Sequence, residues 1–131
     1  MNTKIMYQYR DGDNYKAHNE VIVSGEITKA QKKSIMDSLD CDNMFIPEQL
    51  DLPIERPSDE LTSADHCYCE ILSEDDIVLT DDEPTDERTI AQLAADFVQA
   101  AYDGWDDVKY GVNVYDDDDG YDDEYDVREE F

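Results

Sequence analysis

The chain has 131 residues, with 10 Lys plus Arg against 36 Asp plus Glu, a formal net charge of −26 at pH 7 and a pI near 4.1. That length suits one domain. The charge excludes phosphate-directed binding to DNA or RNA and docking on an anionic membrane surface, and no apolar run approaches the ~20 residues of a membrane helix.

Residues 3–9 set Ile5, Tyr7 and Tyr9 against Lys4, Met6 and Gln8, the period-two pattern of a half-buried strand. Asp11-Gly12-Asp13-Asn14 is a turn cluster, and Val21 and Val23 alternate within 20–24, so an N-terminal hairpin with a long or bulged connection is expected. Thr28 and Gln31 have capping-box spacing before a helix over 29–39, whose apolar stripe is Ala30, Ile35, Met36 and Leu39. Lys29, Lys32 and Lys33 make it the one basic patch. Pro47, Pro53 and Pro57 mark 43–65 as an irregular crossover. Residues 67–72 and 77–79 read as a third strand or a second hairpin.

The clearest element is a helix over about 87–102. Ile90, Leu93, Ala94, Phe97, Val98 and Ala101 repeat at i, i+3, i+4, i+7; Thr89 with Gln92 has capping-box spacing, with Thr85 and Asp86 as other caps, and Gly104 is a stop. Residues 108–115 place Val108, Tyr110, Val112 and Val114 on one face and read as the last strand. The order β-β-α-β-(β)-α-β predicts an α+β domain over 1–115, a mostly antiparallel sheet with two helices on one face, followed by an acidic, tyrosine-containing segment at 116–131.

The charge is unevenly spread: +2 over 1–33, −9 over 34–72, −7 over 73–88, −1 over 89–102 and −11 over 103–131. Duplex DNA carries one charge per ~1.7 Å, so 26 charges match about 44 Å of duplex, close to the ~35–40 Å diameter of a compact chain this long. Self-repulsion on that scale opposes folding, and a functional need for a negative face would offset it.

Small-site chemistry fits less well. Cys41, Cys67 and Cys69 are an odd number, and Met1 to Lys4 lead into Tyr7 and Gln8 rather than an apolar stretch. A reduced, cytoplasmic protein without a signal peptide is therefore expected. His66, Cys67 and Cys69 invite zinc, but only His18 and Cys41 remain to complete four N or S ligands, and in a strand His66 points away from both thiols. No metal and no cofactor are expected. Tyr115 to Asp126 mimics a calcium loop with Gly120 at its sixth position and Asp117, Asp119 and Asp123 at its third, fifth and ninth, yet Tyr115 and Asp126 stand where Asp and Glu are needed. A weak calcium-binding module stays an alternative. There is no phosphate loop or nucleophile elbow, and a negative field raises thiol pKa values, so no catalytic residue is expected and the protein reads as a non-enzyme.

What remains is the acidic face. Carboxylates held on a rigid frame can enter a cleft whose Arg and Lys expect backbone phosphates. The candidates are Asp116, Asp117, Asp118, Asp119, Asp122, Asp123, Glu124, Asp126, Glu129 and Glu130, extended by Glu74, Asp75, Asp76, Asp81, Asp82 and Glu83. Trp105, Tyr115, Tyr121, Tyr125 and Phe131 would supply aromatic anchors that charge alone lacks. The expected partner is the basic nucleic-acid-binding cleft of another protein; an acidic adaptor or chaperone for a basic partner is the alternative.

In size, in its acidic blocks 73–88 and 103–131 and in the Tyr and Trp interleaved with them, the chain resembles the DNA-mimic proteins of phages and mobile elements, among them anti-restriction and anti-CRISPR inhibitors. The resemblance implies a small non-enzymatic protein of the host cytoplasm that occupies the nucleic-acid cleft of a host-defence nuclease. It carries no motif, so it assigns no single residue a role. The pieces Tyr9-Arg10-Asp11, Asn14-Tyr15-Lys16, Phe45-Ile46-Pro47 and Asp65-His66 are similar to short mobile-element proteins. The +2 segment at 1–33 departs from an all-over mimic.

Overall fold

In a computed structural model, which describes residues 1–58 and 60–112, β1 (Asn2–Arg10) is the central strand. Its alternation decides its faces: Thr3, Ile5, Tyr7 and Tyr9 are buried, while Lys4, Met6 and Gln8 lie on the outer face. Strand β2 (Lys16–Val23) pairs antiparallel with it along its whole length, from Thr3 opposite Val23 to Arg10 opposite Lys16. The Asp11 carboxylate closes the turn by accepting the N–H groups of Asp13 and Tyr15, both at 2.9 Å. The expected hairpin is present, with β2 beginning several residues earlier than the Val21–Val23 alternation implied, because Lys16, His18 and Glu20 occupy its outer face.

Two short strands share the other edge of β1. In β4 (Cys69–Glu70), Cys69 faces Tyr9 and Glu70 faces Gln8; in β5 (Ile77–Thr80), Ile77 faces Ile5 and Thr80 faces Asn2. An uninterrupted strand would place Ser73 opposite Ile5, where Ile77 stands. β4 and β5 are thus one strand with four extra residues ejected as a 3-10 turn over Glu74–Asp76. Ser73 Oγ holds this bulge by accepting the Asp75 N–H at 3.1 Å. Strand β3 (Met44–Phe45), which the proline-rich stretch concealed, pairs with β4 and completes the order β2-β1-β4-β3, with β5 also on β1.

Both capping boxes form. Thr28 Oγ1 accepts the Gln31 N–H at 3.1 Å at the start of α1 (Lys29–Ser38), and Thr89 Oγ1 accepts the Gln92 N–H at 3.2 Å at the start of α2 (Ile90–Asp103). α2 ends at Gly104, whose φ of 92° suits a residue without Cβ. Ile35 of α1 and Leu93, Ala94 and Phe97 of α2 join the buried side of the sheet in one hydrophobic cluster. Thr89→Ala should lower stability by about 1 kcal/mol, read as a lower urea midpoint at unchanged slope, since the Gln92 N–H loses its acceptor.

The helices cover one end of the sheet's inner face; the crossover covers the other. Tyr7 Oη donates to Pro53 O at 2.6 Å, and the Asn19 side chain pairs with the Glu55 backbone at 2.7 and 3.1 Å as a ladder rung would. Burial drives the Tyr7 hydroxyl pKa well above its usual value.

The expected last strand over 108–115 is corrected. Asp107–Tyr110 forms a short helix, α3, because the Asp106 carboxylate accepts the Lys109 N–H at 3.0 Å. Val108 is 90% exposed there. Residues 113–115 of that expectation, and the whole of 116–131, lie outside the described residues. Among the described residues no helix is long and apolar enough to cross a membrane.

Candidate acidic binding face

Of the candidate carboxylates, Glu74, Asp75, Asp76, Asp81, Asp82 and Glu83 fall on described residues. The ejected turn carries the first three to one end of β5, and the next three follow its other end. Four strand residues lie between the groups, five steps from Asp76 to Asp81 or about 16 Å. The second group is anchored as well: Asn2 Nδ2 donates to Asp82 O at 2.9 Å, and the Asp82 N–H reaches Thr80 Oγ1 at 3.1 Å. Among the described residues, the one ion pair made by these six carboxylates joins Asp82 to Lys4 at 3.7 Å. The others keep their charge available to a partner.

Beyond Glu83 the chain crosses to β2. Thr85 Oγ1 accepts the Ile22 N–H at 2.9 Å, and the Thr85 N–H donates to Ile22 O at 2.8 Å. Arg88 locks this passage by donating to both Asp86 oxygens, at 2.9 and 2.7 Å, and to Asp96 on α2 at 3.0 Å. The Arg88 hydrogen bond holds the Asp86 carboxyl below its usual pKa despite partial burial. A group with a lowered folded-state pKa stabilises the fold above its unfolded value of about 3.9 and loses that effect as pH falls through the folded value. Asp86→Asn should therefore cost about 2 kcal/mol at pH 7, with the gap from wild type closing below about pH 4 in urea melts.

The basic patch and the acidic block, separate in sequence, form the walls of one groove. It lies between α1 and β5, has a volume of about 930 Å³, and is lined by Lys29, Lys32 and Lys33 on the helix side and Glu74 and Asp75 on the bulge side. Ile27, Met36, Ile77 and Leu79 give it an apolar floor. Sequence reasoning missed this juxtaposition. The lysine spacing was visible, but its acidic neighbour depends on the register step between β4 and β5.

Trp105, expected as an anchor for a partner, is built into the fold instead. Its ring meets Phe45 edge-on at 6.2 Å, and its indole N–H donates to Ser38 O at 3.0 Å at the end of α1. Tyr115, Tyr121, Tyr125 and Phe131, and the acidic residues from Asp116 to Glu130, lie outside the described residues. So does the calcium-like loop at 115–126. Among the described residues no group of three or more His, Cys, Asp and Glu is placed to hold a metal.

Cys67 and Cys69 are buried, and burial pushes both thiols up, Cys69 to about 12. Nearby, the Tyr9 hydroxyl donates to Asp65 and accepts the His66 N–H at 3.2 Å, while Arg56 lies over the Tyr9 ring at 5.2 Å. Burial together with Asp65 moves the Tyr9 hydroxyl up to about 12. On the outer face Glu70, only 4% exposed, is held by Arg10 and by Gln8 Nε2 at 3.1 Å. These contacts tie the crossover to β1, with Arg56 donating through its Nη2 to His66 O at 2.8 Å while its buried Nε finds no partner among the described residues. No known protein family, curated protein or solved structure matches this chain.

Proposed function

We propose that the protein is a phosphate mimic: it occupies the basic nucleic-acid cleft of a partner protein and blocks that partner's access to DNA or RNA. A host-defence nuclease, of the restriction or CRISPR kind, is the partner class that the resemblance to DNA-mimic inhibitors suggests, and the host cytoplasm is where it would act. The observation that carries this reading is the placement of six carboxylates at the two ends of β5 on a hydrogen-bonded frame, with one ion pair among them in the described residues. Ordered charges lose little conformational entropy on binding, and electrostatic steering speeds the encounter.

The test measures DNA cleavage and DNA binding by restriction and CRISPR nucleases of the natural host in the presence of the purified protein. Inhibition should be competitive with DNA and should weaken as salt rises. Truncation after Tyr115 should raise the inhibitory concentration, since the segment removed carries ten of the acidic residues. A bound basic partner that still engages DNA normally would overturn the mimic and favour an adaptor.

A further inference from the structure

We infer that the free edge of β5 and the groove beside it receive an extended segment of the partner as an added strand, apolar at its centre and carrying Lys or Arg at both ends. The inference rests on the reading above that the partner is basic, and it names what the face between the two acidic groups binds.

Among the described residues the other long edge, that of β2, is bonded in part and carries Lys16 at its open end. β1 has neighbours on both sides, and Thr85 is bonded to the β2 edge at Ile22. β3 covers β4 but stops there, leaving β5 to run on with β1 as its one strand neighbour among the described residues. Exposed edges in stable proteins are blunted by Lys, Pro or a covering element. β5 reads Ile77-Val78-Leu79-Thr80, with no such residue, and Val78 and Leu79 are 36% and 46% exposed. In an antiparallel pair every second residue turns both its N–H and C=O away from its partner. On β5 these are Ile77, whose N–H already donates to Glu74 O, and Leu79, so the edge presents the Ile77 C=O and both Leu79 groups to an incoming chain directly above an apolar floor. Strand addition uses this combination: backbone pairing supplies affinity, and pockets for alternate side chains supply selectivity.

The charges choose the occupant. Glu74, Asp75 and Asp76 stand at one end of the edge, and Asp81, Asp82 and Glu83 at the other. A second copy pairing antiparallel through β5 would bring the first group of each copy against the second group of the other. The chain's own C-terminal segment, with ten acidic residues and one Arg over 116–131, meets the same repulsion. A segment with basic ends is attracted at both ends. Lys29 and Lys32 on the α1 wall, where Lys33 is paired with Asp37 at 2.6 Å, disfavour further positive charge in the middle, which leaves apolar or hydroxyl residues there.

The probe is a blocked peptide, Arg-Lys-Val-Thr-Val-Thr-Val-Lys-Arg, titrated into the full chain and followed by amide NMR shifts and hydrogen exchange. Saturable shifts should map to 77–80 and to Met36, with slowed exchange along β5. An analogue N-methylated at alternate residues keeps charge and side chains but lacks the edge donors, and it should bind at least about tenfold more weakly. Leu79→Lys and Leu79→Asp, at a half-exposed position, should both weaken binding while leaving the fold's amide spectrum intact. Equal binding of the N-methylated analogue, tighter binding by Leu79→Asp, shifts lying elsewhere, or self-association through β5 would each overturn the proposal. Nuclease inhibition competitive with DNA but without peptide at β5 removes strand addition and leaves the phosphate mimic standing. Peptide at β5 without DNA competition removes the mimic and keeps the edge.

Discussion

Phe97→Ala is expected to cost about 4 kcal/mol. Phe97 is fully buried on α2, and its ring lies 5.3 Å from that of Phe45. Phe45 in turn meets Tyr7 at 5.3 Å and Trp105 at 6.2 Å. Removing Phe97 takes one wall from this aromatic group and opens a void that the backbone cannot close, because β1 and α2 are each held by other contacts. A domain of this size has roughly 5–15 kcal/mol of total stability, and self-repulsion at −26 draws on it. The variant should therefore be largely unfolded at about 0.01 M salt, where charges interact over ~30 Å, and regain structure near 1 M, where the range is ~3 Å. Circular dichroism melts at the two salt concentrations check this. A loss below about 1 kcal/mol would mean that the void refills.

The second large effect runs in opposite directions for folding and binding. Converting Glu74, Asp75, Asp76, Asp81, Asp82 and Glu83 to their amides keeps shape and removes six charges with one ion pair among them in the described residues. The melting temperature at low salt should rise, because like charges no longer crowd the two ends of β5. Affinity for a basic partner should fall at least tenfold, about 1.4 kcal/mol, and its salt dependence should flatten. The β5-directed peptide measures the binding half, and calorimetry the folding half. A variant both less stable and equally tight would show that these carboxylates serve the fold. Stability surrendered to a binding surface is the usual sign of a site kept for function.

Much of the framework was legible because it depends on local spacing. Thr28 with Gln31 and Thr89 with Gln92 announce helix starts from three-residue intervals, and both boxes close. Ile5, Tyr7 and Tyr9 announce the inner face of β1 by simple alternation. Features set by distant partners were hidden. β3 is two residues long and exists because β4 lies beside it. Val108 and Tyr110 fit a strand pattern equally well, yet one cap from Asp106 sufficed to turn four residues into helix. Trp105 amid acidic residues looked free for a partner, but the space beside Phe45 took it. As for the site, the acidic residues were plain in the sequence. Their division into two groups around an open edge, facing the α1 lysines, followed from a register step that no single segment encodes.

That step has a consequence for how the molecule can vary. The ejected stretch is four residues long, an even number, so Ile77 re-enters the ladder on the face that Ser73 would have taken. Excising residues 73–76 would join Leu72 to Ile77 and return β4 and β5 to one continuous strand, with each side chain still on its own side of the sheet. The turn is in this sense a cassette: its length and chemistry can change in steps of two without disturbing the interior, and one scaffold can present many different arrays of charge.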